Sequence, residues 1–270
     1  MIMAPIASLT NWLCETDESN YWHESARPLT SLIFVLPILA CYEMGIVLLG
    51  PQAMRNGADV WLRLLLDGLG FGQYFVLPLL TCFVLYGWHH LSGRETSVDY
   101  RALVGMLLEC ALLAFVLLSL ARLQTSFLTL LQGPGLAQLP PLANNVSAVV
   151  APATMAGPVA SAGMVGFLGA GIYEELLFRL LLLPAIFAGL RWLGEPRRLS
   201  LRTAVLVSSL IFAAAHYQTF IGYGESLDLA SFVFRCSAGI FFGILFVCRG
   251  FGVAVGVHSI YDILASMVSA

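Results

Sequence analysis

Apolar residues run along most of this chain in blocks long enough to cross a bilayer, and polar residues fall mainly in the gaps between them. A helix needs about 20 mostly apolar residues to span the hydrocarbon core. Seven stretches come close to that length, at roughly 29–49, 70–90, 102–121, 162–190, 203–221, 229–248 and 251–269. Residues 58–69 gather Trp61, Leu64, Leu65 and Leu69 toward one side, the pattern of a helix lying in the interface. Residues 142–160 are apolar but built from Ala, Val, Asn and Pro, and would add an eighth span or a re-entrant segment. The expected fold is therefore all-α, a polytopic transmembrane helical bundle of about seven to eight spans. A polar or interfacial segment, 1–28, would precede a single transmembrane domain, 29–270. Within it, 29–131 would supply accessory spans and 162–270 the core spans. The Pro-, Gly- and Asn-rich stretch 132–158 separates the two halves, and the second holds most of the polar groups that invite a chemical explanation.

Composition agrees. Hydrophobic residues make up 59% and charged residues 11%, against about half and a quarter in a soluble domain. All 13 basic residues are Arg, the formal net charge is -3, and no basic cluster could grip phosphates along a duplex. No nucleic-acid partner is expected. The six Cys are scattered without a C-x-x-C pair, and four lie inside apolar stretches, as small buried hydrophobes do. Residues 1–28 hold Glu15, Asp17, Glu18 and Glu24 with Arg27 the lone base, unlike the basic start of a cleaved signal. The densest basic loop contains Arg191, Arg197, Arg198 and Arg202, and should be cytoplasmic. Counting spans from it gives a multi-pass cell-membrane protein with a cytoplasmic N-terminus and an external C-terminus. Arg55 and Arg63 fit that count less well, and an eighth span would move the N-terminus across.

Charge within hydrocarbon costs at least about 2.5–3.5 kcal/mol at a helix centre, so charged groups there call for a reason. Glu174 and Glu175 sit midway along 162–190, with Arg179 four residues after Glu175 and able to pair with it. Glu174 points about 100° away around an α-helix and is left without an obvious local partner. A carboxylate in such a place can act as a base, and a polar contact gluing helices is the plainer alternative. Phe212 and His216 share a face of the next span. That histidine can be an acid, a base, a metal ligand or a hydrogen-bonded core residue. In the last span His258 and Asp262 stack at a four-residue spacing, where the carboxylate could orient the imidazole or merely cap the helix end. Glycines around all three clusters allow close helix approach.

Glu-Glu-x-x-x-Arg, then Phe-x-x-x-His, then His-x-x-x-Asp, in that order on successive apolar helices, resembles the CAAX protease and bacteriocin-processing (CPBP, or Abi) family of intramembrane endopeptidases. The resemblance covers Gly171 to Asp262, about a third of the chain. It implies an all-helical membrane fold with a buried site in which Glu174 activates water, His216 assists, and His258 with the residue four later stabilises the oxyanion. Glu175, Arg179 and Phe212 would complete the motifs as supporting residues. Asp262 stands where eukaryotic prenyl-protein members have Asn, and an ionised carboxylate cannot donate a hydrogen bond. Either Asp262 is protonated or it orients His258.

The implied reaction is peptide-bond hydrolysis without a Ser or Cys nucleophile and without a cofactor. Zinc held by two His and a Glu is the competing option, although no His-Glu-x-x-His helix is present. The implied partners are membrane lipid and a membrane-embedded or lipidated peptide substrate. Two other functions compete. Glu43 and Glu109 in earlier spans could join Glu174, His216 and His258 in a proton-coupled transporter. A membrane immunity or scaffold protein could retain the family motif without turnover.

Overall fold

The computed structural model describes residues 20–50, 53, 55–93, 96–132, 158–222 and 224–269. The first nineteen residues of the 1–28 segment, and 142–157 of the possible eighth span, lie outside the described residues. The elements are helices α1 (Asn20–Ser25), α2 (Pro28–Leu49), α3 (Gly57–Gly68), α4 (Val76–Leu91) and α5 (Tyr100–Gln132). After them come a broken helix, α8 and α9 (Arg197–Ala214 and Gln218–Ile221), α10 (Leu229–Arg249) and α11 (Phe251–Ser269). The broken helix begins as α6 (Pro158–Gly169), passes through two π-helical segments, Ala170–Glu174 and Leu176–Leu182, and ends as α7 (Leu183–Trp192). The molecule is a helical membrane bundle. Four helices among the described residues are long and apolar enough to cross a membrane: Pro28–Leu49, Tyr100–Phe127, Leu229–Arg249 and Phe251–Val268. Val76–Leu91 is a shorter apolar helix.

Two expectations change in register. Residues 162–190 are not one uniform α-helix, because the hydrogen bonding widens over Ala170–Leu182. Such π segments occur mostly as single turns and often at functional sites. The helix expected over 203–221 starts earlier, at Arg197, and ends at Ala214, so His216 lies in the turn beyond it.

Helix α11 is the centre of the bundle, packed against α2, α5, α6, α10 and the first π segment. Its Phe251, Val253, Ala254, Val255 and Val257 are fully buried. A single residue, Gly250 at φ +83°, joins α10 to α11, and a side chain there would meet the backbone of Ala26 at 3.1 Å. Outward-facing positions carry Leu36, Met44 and Leu48 on α2, Leu79 and Phe83 on α4, and Leu108, Leu112 and Phe115 on α5. An apolar exterior of this extent suits lipid contact.

Helix α3 is held against this core by a buried ionic network. Asp59 accepts from Tyr42 at 2.7 Å, Arg55 at 2.8 Å and Arg63 at 2.6 Å. Arg63 also reaches Glu43 at 2.9 Å, and Tyr173 donates to Glu43 at 2.6 Å. Burial disfavours the guanidinium charges, yet the bonds and charge of Asp59 hold Arg55 and Arg63 above the usual arginine range. Arg55 and Arg63, the two residues at odds with the expected topology count, both serve this network.

Candidate active site

The three sequence clusters meet in one place. Glu174 closes the first π segment, Glu175 is the hinge residue between the two, and both side chains face inward. Close approach of α11 makes this possible. At Gly171 an added Cβ would lie 2.9 Å from the Ser259 backbone nitrogen and 3.0 Å from the Val255 carbonyl oxygen.

Glu174 Oε2 lies 3.8 Å from His216 Nε2 and 3.8 Å from His258 Nε2. Both gaps exceed a direct hydrogen bond and suit a bridging water. The imidazoles are oriented from behind. The Nδ1 of His216 is 2.8 Å from the Phe212 carbonyl oxygen, and the Nδ1 of His258 is 2.8 Å from Glu175 Oε1. Those partners only accept, so each Nδ1 carries the proton and each Nε2 is turned to Glu174.

Beneath the imidazoles the charged groups are buried. Arg179, 1% exposed, approaches Glu175 Oε1 at 3.3 Å and donates to the Gly239 carbonyl at 3.2 Å. Its guanidinium lies 4.3 Å from the centre of the Phe212 ring and 5.4 Å from that of Phe242. Phe242 in turn stacks on His258, with ring centres 4.5 Å apart and planes at 11°. Exposure rises toward the opposite side, to 22% for the Asp262 side chain and 25% for that of His216.

Glu175 occupies the Nδ1 of His258. The Oδ2 of Asp262 instead lies 3.7 Å from Nε2, on the side facing Glu174. Glu174 has no local partner but a distant one, Asn56, whose Nδ2 donates to its Oε1 at 2.8 Å. Glu43 and Glu109 are each paired with an arginine. Arg63 clamps the first, and Arg249 grips the second through two bonds of 2.7 Å.

Asn56 and Phe242 escaped the sequence reading. Asn before Gly-Ala-Asp is a helix-start signal, but nothing local says that its amide reaches a residue 118 positions away. Phe242 is one of many Phe in apolar helices. Beside the site, a wholly apolar groove of about 270 Å3 is lined by residues that include Trp61, Leu177, Phe178, Ala214 and Ala215. Ala215 immediately precedes His216, so the groove adjoins the turn that carries that residue.

Residues 156–264 match the family model described as type II CAAX prenyl endopeptidase Rce1-like. Over this segment the chain is similar to that family of endopeptidases. The segment holds Glu174, Glu175, Arg179, Phe212, His216, His258 and Asp262, while Asn56 lies outside it. The match supports a protease reading for this segment and agrees with the resemblance carried by the three motifs. No curated protein and no solved structure matches the chain.

The donor set bears on metal. Among the described residues no group of three or more His, Cys, Asp and Glu side chains is arranged to hold a metal ion.

Proposed function

We propose that the protein is an intramembrane endopeptidase that hydrolyses membrane-embedded or lipidated peptides by glutamate-activated water, without a metal. One observation carries this reading: a buried carboxylate oxygen stands 3.8 Å from two imidazole nitrogens, each fixed by its own partner.

Water between these groups gives one proton to Glu174 Oε2 and keeps the other, which it donates as a hydrogen bond to His216 Nε2. The hydroxide attacks the substrate carbonyl carbon, and the carbonyl electrons move to oxygen. His258, as an imidazolium, donates through Nε2 to that oxyanion, a contribution of about 2.7–4 kcal/mol for one donor. Collapse of the intermediate breaks the C–N bond, and Glu174 passes its proton to the leaving amine. Glu175, backed by Arg179, keeps His258 in the required orientation. Asp262 lines the open side, where water enters and products leave.

The apolar groove beside His216 supports a substrate with a bulky apolar group near the cut bond, as a membrane-embedded or lipidated peptide would present. A cell-membrane location with a cytoplasmic N-terminus is part of the proposal and follows from the basic loop around Arg197.

The test uses purified protein in proteoliposomes with a library of lipidated and membrane-segment peptides, and products read by mass spectrometry. Wild-type protein should cleave members of the library. Glu174→Gln and His216→Ala should lower turnover by about 10²–10⁴-fold, the usual share of a general acid or base, while melting like wild type. Wild-type turnover in Glu174→Gln would remove the reading.

A further inference from the structure

Resting on that reading, we infer that Asn56, from the half of the chain outside the Rce1-like match, is a positioning residue for Glu174. It decides which carboxylate oxygen faces the reacting water. The last torsion of a Glu side chain is intrinsically broad and roughly two-fold, so the helix that carries Glu174 cannot by itself fix the plane of the carboxylate. Asn56 Nδ2 donates to Oε1 at 2.8 Å. That bond leaves Oε2 as the oxygen turned to both imidazoles, at 3.8 Å from each.

The amide is itself held. Asn56 caps α3, and its Oδ1 accepts from the Ala58 backbone N–H at 2.8 Å. A backbone N–H can only donate, so Oδ1 must face it and Nδ2 must face Glu174. The cap thus settles the orientation of the amide, and the amide settles that of the carboxylate. Asp59 sits three residues further on, fully buried and bonded to Tyr42, Arg55 and Arg63. That network fixes the first turn of α3, and with it the distance from Asn56 to Glu174. An interfacial helix from the accessory half therefore completes the site.

The two jobs of Asn56 can be separated, because Ser and Asp cap helices about as well as Asn. Asn56→Ser keeps the cap but is too short to reach Glu174. Asn56→Asp keeps the cap and sets an acceptor against an acceptor. The assay compares both variants with wild type and Glu174→Gln, on the library peptide that wild-type protein cleaves fastest. Expected are wild-type melting for Asn56→Ser, unchanged KM, and a kcat about 10–100-fold lower, the usual cost of losing a bond that orients a reacting group. Asn56→Asp should lose more. Wild-type kcat in both variants beside an inactive Glu174→Gln overturns the inference and leaves the proposed function standing. A lowered melting temperature with kcat and KM changed together also overturns it, since that is the mark of a structural cap alone. An active Glu174→Gln overturns the proposed function, and this inference with it.

Discussion

Glu175 and His258 stand 83 residues apart in sequence, and Glu175 Oε1 lies 2.8 Å from His258 Nδ1. The same oxygen is 3.3 Å from Arg179 Nη1, so one buried atom serves both a guanidinium and an imidazole. Glu175→Gln keeps an oxygen for the Nδ1–H to reach but removes the negative charge that balances Arg179 and an imidazolium at His258. The expected result is a kcat lower by about 10²–10⁴-fold, comparable to loss of a general acid or base. Glu175→Ala, which strands a buried Arg, should in addition cost about 3–5 kcal/mol of stability. Steady-state kinetics and denaturant melts of the two variants check this. Normal activity and stability in Glu175→Gln would contradict the role.

The junction of the π segment with α11 leaves no space for a methyl group at position 171. A Cβ there would meet backbone atoms, Ser259 N at 2.9 Å and Val255 O at 3.0 Å, which cannot rotate away as a side chain could. Gly171→Ala must therefore shift α11 relative to the π segment, and so move His258 away from Glu174 and Glu175. Expected are a destabilisation of about 1–3 kcal/mol, as for overpacking elsewhere, and a disproportionate loss of kcat. Thermal melts paired with turnover numbers test it. Wild-type values for both would mean that the two helices can part without disturbing the site.

What the sequence made legible was set by distance along the chain. Four-residue spacings announced Glu175–Arg179 and His258–Asp262, because i,i+4 neighbours meet on any helix. The order of the three polar clusters announced the family. The widening at Ala170–Leu182 was not legible, since apolar π and α segments share the same composition. Nor was the exchange of partners at His258: Asp262 is near in sequence, but Glu175 arrives from another helix and takes Nδ1. Asn56 was hidden for the same reason. Its cap signal is local, whereas its bond to Glu174 depends on how α3 docks through Asp59, Arg63 and Glu43.

Metal dependence separates two chemistries that share these residues. The Nε2 atoms of His216 and His258 both face Glu174, while among the described residues no set of three or more side chains is arranged as a metal site. Protein treated with a chelator, and shown by elemental analysis to hold less than stoichiometric zinc, is expected to keep its full kcat. Activity that vanishes on chelation and returns in proportion to added zinc would overturn the metal-free mechanism.

The groove beside His216 predicts a selectivity that can be changed without touching the reacting groups. Leu182 lines it at the end of the second π segment, while Trp61 lines it from α3 and Ala215 from the turn before His216. Burial of one large apolar side chain is worth about 1.5–3 kcal/mol, so filling the groove should penalise only substrates that use it. Leu182→Trp is expected to lower kcat/KM by about 10–200-fold, the range a pocket of this kind can discriminate, for peptides with a bulky apolar group beside the cut. Peptides with Ala at that position should be cleaved as by wild type. Paired assays on two peptides differing only there give the answer, and equal losses on both would show that the groove does not receive the substrate.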